Sequence, residues 1–175
     1  ITLLGSSGIG KSRLVSEFIQ REVEAARCTT CEEIPAEPRV LQGHCPPYGE
    51  GITYWPLVEI LRSLIEVREG ESGELLEQRF VEFVRETLRQ AKRSENVDHV
   101  ASTLLQSIGQ GLRGDPGRVS RRAIQRSTLN KDADKGGPQA TLQRACRVLL
   151  EAVAQTQPLI LVIDDLQWAD EALLK

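Results

Sequence analysis

The sequence predicts an α/β fold with three layers, in which a parallel β-sheet is flanked by helices. Two apolar runs support this prediction, one at the start of the chain (1–4) and one near its end (159–163). Glycines follow the first run at once, and two aspartates follow the second. Segments with apolar residues at helical spacing lie between them. Ligands of open α/β sheets bind at the carboxyl ends of the strands, so this order predicts buried parallel strands that end at a ligand site.

The first apolar run leads into the motif G-x-x-x-x-G-K-S, and a helical pattern follows it over 11–26. A strand, a glycine-rich turn and a helix in this order are typical of a P-loop, whose backbone N–H groups surround a phosphate. Gly5 and Gly10 stand where a side chain would block the phosphates or forbid the required backbone angles. Lys11 can reach the β- and γ-phosphates, and the Ser12 hydroxyl can bind Mg²⁺. The nucleotide-binding residues predicted here are Gly5, Ser6, Ser7, Gly8, Ile9, Gly10, Lys11, Ser12 and Arg13.

The second apolar run ends in Asp164 and Asp165, which is the form of a Walker B element. We expect Asp164 to hold Mg²⁺ through a water, because Mg²⁺ keeps several waters and prefers one or two carboxylates. Asp165 is the best candidate to orient or deprotonate the attacking water, and Lys11 completes the predicted catalytic pair. The alternative to the first motif is a glycine-rich turn before a helix, and the alternative to the second is a pair of solvated turn carboxylates. Asp170 is interpreted first as a helix N-cap.

The remaining periodicity predicts further helices and one more strand. Helices are expected after Pro56 and over 73–91, 96–109 and 139–155, and a short strand over 39–43. Residues 110–137 lose this periodicity, and we expect a flexible insertion or linker there.

Three blocks resemble the signatures of a bacterial group of AAA-like, STAND-class signalling ATPases: GSSGIGKSRL, HCPPYGEGITYWPLVEILR and PLILVIDDLQWADEALL. Such domains occur in multidomain regulators, commonly beside an adenylate/guanylate cyclase domain or a LuxR- or SARP-type DNA-binding domain. The resemblance implies an ATP-dependent switch with an ADP-bound resting state, an ATP-bound state that can self-associate, and slow hydrolysis. It also implies ATP rather than GTP. In AAA+ relatives the position of Asp165 is usually Glu, so vigorous hydrolysis is not expected.

The sequence therefore predicts a partial P-loop NTPase domain over 1–175 that binds Mg·ATP and Mg·ADP and hydrolyses ATP slowly in a larger signalling or transcriptional regulator. The alternative is a regulatory module that holds nucleotide without hydrolysing it. A kinase-like phosphotransferase is disfavoured, because no second substrate-binding pattern is visible. The expected partners of the predicted P-loop domain are the nucleotide, the protein's own further domains and, in the ATP-bound state, a second copy of the protein.

Composition sets the bounds of this interpretation. A net charge of −3 and a pI near 5.5 give no general reason to expect nucleic-acid or membrane binding. No apolar run is long enough to span a bilayer and no signal-peptide pattern opens the chain, so we expect a cytoplasmic protein. The chain has no Met and begins inside the predicted first strand. We therefore expect it to be part of a longer protein, incomplete at both ends.

Two features keep alternatives open. Cys28, Cys31, His44 and Cys45 have ligand types and an initial spacing compatible with zinc, although reduced structural cysteines are expected in a cytosolic ATPase. The 44–56 loop is either an aromatic-pinned turn or a sensor of the γ-phosphate through His44 or Glu50.

Overall fold

The computed structural model describes residues 1–27, 37–47, 54–65, 72–93, 95–112, 137–169 and 173. In chain order the elements are α1 (Lys11–Ala26), β1 (Arg39–His44), α2 (Trp55–Leu64), α3 (Gly73–Gln90), α4 (Val97–Leu112), α5 (Gly137–Thr156), β2 (Leu159–Asp164) and a 3₁₀ turn (Leu166–Trp168). In this part of the chain, no helix is long and apolar enough to cross a bilayer.

The two strands form a parallel pair, as the sequence analysis predicted for these segments. The register runs from Arg39 opposite Leu159 to His44 opposite Asp164. Residues opposite each other in a parallel pair project from the same face of the sheet, and successive residues alternate between faces. The carboxyl ends of β1 and β2 therefore meet at one edge, with His44 and Asp164 side by side on one face.

Helices α2–α5 pack together with the face of the sheet that includes Leu41. Each fully buried apolar side chain contributes about 1.5–3 kcal/mol through the surface that it removes from water. This core confirms the amphipathic helices expected from the sequence pattern. Its largest fully buried side chains are Leu41, Val58, Ile60, Leu61, Phe80, Val84, Leu88, Leu104, Leu142 and Leu149.

Helices α4 and α5 both reach into the segment that was expected to be a flexible insertion. The α4 helix continues to Leu112, and the α5 helix begins at Gly137, so the ends of 110–137 are helical. Residues 113–136 lie outside the described residues, and their flexibility stays a prediction.

The expected first strand is not formed. Residues 1–6 belong to no helix or strand, and the side chains of Ile1 and Leu4 are exposed. A strand is stable only when its backbone groups pair with a neighbour, and within the described residues the sheet contains only β1 and β2. An apolar run indicates that a segment tends to be buried, but it does not provide the neighbouring strand with which the segment would pair. The expectation of a strand at 1–4 is therefore wrong for this structure.

The α1 helix follows the expected bounds but lies mostly in solvent. Its apolar residues Leu14 and Phe18 are at least half exposed, and only Ala26 is buried. Its C-terminal end is tied to the body of the protein, because Arg27 forms an ion pair with Glu37 (Nη2 to Oε1, 2.6 Å) just before β1. The described residues thus show a helical layer on one face of the sheet, and the third layer stays a prediction.

A close approach of backbones fixes where α2 begins. A Cβ atom on Gly43, in β1, would lie 2.5 Å from the carbonyl oxygen of Pro56 and 2.9 Å from its Cα. Both are backbone atoms that no side-chain rotation could move. The absence of a side chain at Gly43 is therefore what lets the first turn of α2 cross directly over the end of β1.

Gly43→Ala should consequently destabilise the fold. We expect the free energy of unfolding to fall by about 1–3 kcal/mol, because the added methyl group forces α2 away from β1. Urea unfolding measures this, with Gln42→Ala as the control, because Gln42 is exposed at the preceding position of the same strand. The control should stay within about 0.5 kcal/mol of the wild type. Equal stability of the two variants would contradict the close approach.

The buried thiol of Cys146, on α5, predicts a loss of stability at high pH. Burial raises its pKa from 9.0 to about 12, so the folded state keeps the proton at a pH where the unfolded state loses it. The contribution of this thiol to the free energy of unfolding is therefore fully present below pH 9. It declines as the pH rises towards 12, by up to about 1.4 kcal/mol per pH unit. Urea unfolding at pH 8 and pH 11 should show a larger decline for the wild type than for Cys146→Ala. Equal declines would rule out a buried, protonated thiol.

Candidate functional site

The glycine-rich loop curls around the side chain of Lys11. The Lys11 ammonium donates hydrogen bonds to the carbonyl oxygens of Gly5 (2.8 Å) and Ser6 (2.9 Å). Gly8 and Gly10 have φ angles of 79° and 95°, in the left-handed region that favours glycine. The sequence pattern thus forms a compact loop held by local contacts.

The loop leads directly into the amino terminus of α1, whose first backbone N–H groups are not capped by a side chain. Gly10 is the N-cap residue, no side chain caps the helix, and its first turn contains no acidic residue. The Ser12 side chain is exposed at this end. The free N–H groups and the helix dipole both favour an anion there. These residues are chemically suited to a phosphate chain, with Lys11 as the cation.

The carboxyl end of β2 presents the two aspartates. Asp164 is the last residue of the strand, and its side chain is exposed. Asp165 adopts a left-handed conformation (φ 58°, ψ 38°), which Asp tolerates better than most residues with a side chain. Its carbonyl oxygen accepts a hydrogen bond from the Trp168 N–H (2.9 Å), and its Oδ1 accepts one from the Gln167 side-chain amide (2.9 Å). The chain therefore turns sharply here and holds one oxygen of the Asp165 carboxylate.

The neighbouring strand end contributes a histidine held by a glutamate. Glu59, on α2, accepts a hydrogen bond through Oε2 from the His44 backbone N–H (2.8 Å), and the same oxygen lies 2.7 Å from His44 Nδ1. The next backbone N–H, of Cys45, donates to the carbonyl oxygen of Asp164 (3.0 Å). His44 was among the candidates from the sequence. Glu50 lies outside the described residues, and Glu59 was missed, although its place one turn after Pro56 puts it over β1.

Cys45 is buried among these charged groups. Burial raises the pKa of its thiol most, and the negative charges of Asp165 and Glu59 raise it further. The thiol therefore stays protonated at neutral pH when no metal ion is bound. In the described ranges, no group of three or more His, Cys, Asp or Glu residues could hold a metal ion. Cys28 and Cys31 lie outside these ranges, as does Asp170, so the zinc hypothesis and the N-cap stay untested.

The structure thus brings His44, Cys45, Asp164 and Asp165 to one edge of the sheet, and it folds Gly5–Ser12 into a compact loop before α1. Anion binding by this loop stays a prediction. The sharing of one Mg²⁺ by Ser12 and Asp164 stays a prediction. The Gln167 contact was not foreseen, and its only signal in the sequence is an amide side chain two residues after an aspartate.

Comparison with known proteins supplies the family. Neither the comparison with curated proteins nor the comparison with solved structures gives a match. The sequence model of one family, described as the AAA ATPase domain, matches residues 1–175. This match covers the glycine-rich loop, the paired strands and the two aspartates together. The chain therefore belongs to the AAA ATPase domain family.

Proposed function

We propose that this chain is a nucleotide-binding module that holds Mg·ATP and Mg·ADP and hydrolyses ATP slowly. The observation that carries the proposal is the loop of Gly5–Ser12, in which Lys11 bonds to two carbonyl oxygens while the N–H groups of the helix start are free. Carbonyl oxygens carry only partial charge, so a phosphate oxygen is a stronger partner for an ammonium group. Nucleotide binding would exchange these contacts, with Lys11 moving to the β- and γ-phosphates.

The acidic edge of the sheet would supply the cation site. Bound Mg²⁺ neutralises charge on the β- and γ-phosphates, and the Ser12 hydroxyl and the Asp164 carboxylate are the residues to hold it. Both side chains are exposed, and both are hard oxygen ligands of the kind that Mg²⁺ prefers. Asp165 follows Asp164 directly and is the candidate to orient the attacking water.

The larger context is also part of the proposal. The resemblance of the three sequence blocks to STAND-class ATPases supports a cytoplasmic switch within a signalling or transcriptional regulator, with self-association in the ATP state. A module that binds nucleotide without hydrolysis is the second candidate. It is favoured by the Asp165 carboxylate, since Gln167 already occupies one of its oxygens.

Lys11→Ala should remove most of the nucleotide affinity. We expect the Kd for Mg·ADP to rise by about 10- to 100-fold, because a charge-assisted hydrogen bond to phosphate contributes about 1.5–3 kcal/mol. Isothermal titration calorimetry measures the Kd. Arg21→Ala is the matched control, because it removes one positive charge from an exposed position of the same helix. An unchanged Kd in the Lys11 variant would refute the assignment of the loop.

Asp165→Asn should separate hydrolysis from binding. Asn accepts the left-handed backbone and keeps an oxygen for Gln167, so the fold and the Kd for Mg·ADP should be retained. We expect steady-state phosphate release to fall by about 100-fold or more, because the carboxylate no longer accepts the proton of water. Asp98→Asn, an exposed carboxylate on α4, is the control. Absence of phosphate release in the wild type, with nucleotide bound, would favour the non-hydrolysing module.

A further inference from the structure

The Asp165 carboxylate has a fixed neighbour that the proposed function does not yet use. The side-chain amide of Gln167 donates a hydrogen bond from Nε2 to Asp165 Oδ1 (2.9 Å). The last torsion of an aspartate side chain has a broad energy minimum, so a free carboxylate rotates easily. A hydrogen bond at one oxygen restricts this rotation. Because the two oxygens belong to one planar group, the direction of Oδ2 is then fixed as well.

The turn that follows β2 does not depend on this contact. The Asp165 carbonyl oxygen accepts a hydrogen bond from the Trp168 N–H (2.9 Å), and the Leu166 carbonyl oxygen accepts one from the Ala169 N–H (3.0 Å). These bonds between main-chain groups close the 3₁₀ turn without any side chain. The side chains of Asp165 and Gln167 are both exposed, so their contact adds nothing to the buried core. What the contact fixes is therefore the direction of the Asp165 carboxylate.

The two neighbouring carboxylates are held differently. The main chain of Asp164 is tied to the end of β1, since its carbonyl oxygen accepts a hydrogen bond from the Cys45 N–H (3.0 Å). Among the residues that the structure describes, none donates a hydrogen bond to the Asp164 carboxylate, so both of its oxygens are open to a cation. Asp165 has one oxygen bonded to Gln167 and one open. The contact thus leaves Asp165 a single open acceptor.

We propose that Gln167 is a positioning residue for ATP hydrolysis, which holds one oxygen of Asp165 so that the other accepts a hydrogen from the attacking water. This inference rests on the proposed function and adds a residue to that same site. Asp165 is the group that touches the water, and Gln167 acts through Asp165. Asp164, which lacks such a contact, stays available to the cation.

The chemical step balances without a further reactant. The water oxygen forms a bond to the γ-phosphorus while the bond from this phosphorus to the β–γ bridging oxygen breaks. ADP leaves with the electron pair of the broken bond. One proton of the water passes to Oδ2 of Asp165 and from there to inorganic phosphate or solvent. Gln167 exchanges no proton in this step, because an amide N–H donates a hydrogen bond and keeps its hydrogen.

The choice of substitution separates a positioning role from a general need for glutamine. Gln167→Glu keeps the size of the side chain but replaces the N–H donor with a carboxylate, which repels Asp165. Gln167→His keeps an N–H donor and is uncharged at about pH 8. Gln106→Glu is the matched control, because it makes the same change of charge at an exposed position of α4.

The first experiment measures phosphate release, Mg·ADP binding and urea unfolding in the wild type and these three variants. We expect Gln167→Glu to lower kcat by about 10-fold or more, because a misdirected catalytic group loses the benefit of orientation. Its KM, its Kd for Mg·ADP and its urea midpoint should stay at the wild-type values. Gln167→His should recover part of the lost kcat, and Gln106→Glu should behave as the wild type.

A second experiment tests whether Gln167 acts through Asp165. In the Asp165→Asn background, where the carboxylate is already removed, Gln167→Glu should lower kcat no further. An equal loss in both backgrounds would contradict the positioning role.

The contact itself can be observed without nucleotide. In two-dimensional NMR of the ¹⁵N-labelled protein, the side-chain amide resonances of Gln167 should shift on Asp165→Ala and stay in place on Asp98→Ala. Unshifted resonances in the Asp165 variant would show that the hydrogen bond is not formed, and this would overturn the inference.

The remaining outcomes distinguish this inference from the proposed function. Equal kcat values for Gln167→Glu and the wild type, with normal nucleotide binding, would overturn the role of Gln167 and leave the nucleotide site intact. A higher Mg²⁺ requirement of Gln167→Glu at unchanged kcat would identify Asp165 as a cation ligand and overturn the role as well. Absence of hydrolysis in the wild type with nucleotide bound would leave the non-hydrolysing module. Failure of the wild type to bind nucleotide would overturn both proposals.

Discussion

The parallel register of β1 and β2 is the constraint on which the candidate site depends. A parallel pair cannot be closed by a tight turn, and here helices α2–α5 make the connection between the two strands. The strands meet only because these helices bury a shared core that includes Leu41. A shift of one residue in register would turn Asp164 to the other face of the sheet and separate it from His44. The core therefore determines which polar side chains meet at the carboxyl edge.

The same core reaches the site through α2. Because Gly43 has no side chain, Pro56 lies against the β1 backbone, and this contact sets the start of α2. Glu59 follows three residues later, nearly one helical turn further on, at the height where β1 ends. The Glu59 carboxylate then accepts a hydrogen bond from the His44 backbone N–H, a donor that the strand itself leaves unpaired. The crossing of α2 over β1 thus has two consequences: position 43 must be glycine, and Glu59 comes within reach of His44.

The sequence predicted those features that depend on local pattern. The apolar spacing along α3–α5 reports burial directly, since residues three and four apart share a helix face, and the helices were found accordingly. Gly10 was expected to need special backbone angles for an equally local reason, and it is left-handed, as is Gly8, which had not been singled out for its conformation. The family could also be inferred, because its blocks carry the P-loop and the paired aspartates.

The features that could not be predicted depend on partners distant in the chain. Residues 1–4 have the composition of a strand, but composition does not say which edge they would join, and the structure pairs them with neither strand. Glu59 was not singled out in the sequence, because only the crossing of α2 over β1 places it at His44. Gln167 contacts Asp165 because the chain makes a left-handed turn at Asp165. This turn could not be predicted from the sequence, because the residue there is not glycine.

The two halves of the candidate site are stabilised by different kinds of contact. The loop before α1 is held by its own glycines and by Lys11, and α1 is anchored at its other end, at Arg27, which is about 24 Å of helix away. The acidic edge is held instead by the packed core. A ligand that touches both halves adds its binding free energy to the state in which they are joined, by RT ln(1 + [L]/Kd). Under the proposed function, a phosphate chain bound to the loop, with a cation reaching Asp164, would be such a ligand. Because ADP lacks the γ-phosphate, it would make fewer of these joining contacts than ATP, and this difference would let the module distinguish the two nucleotides.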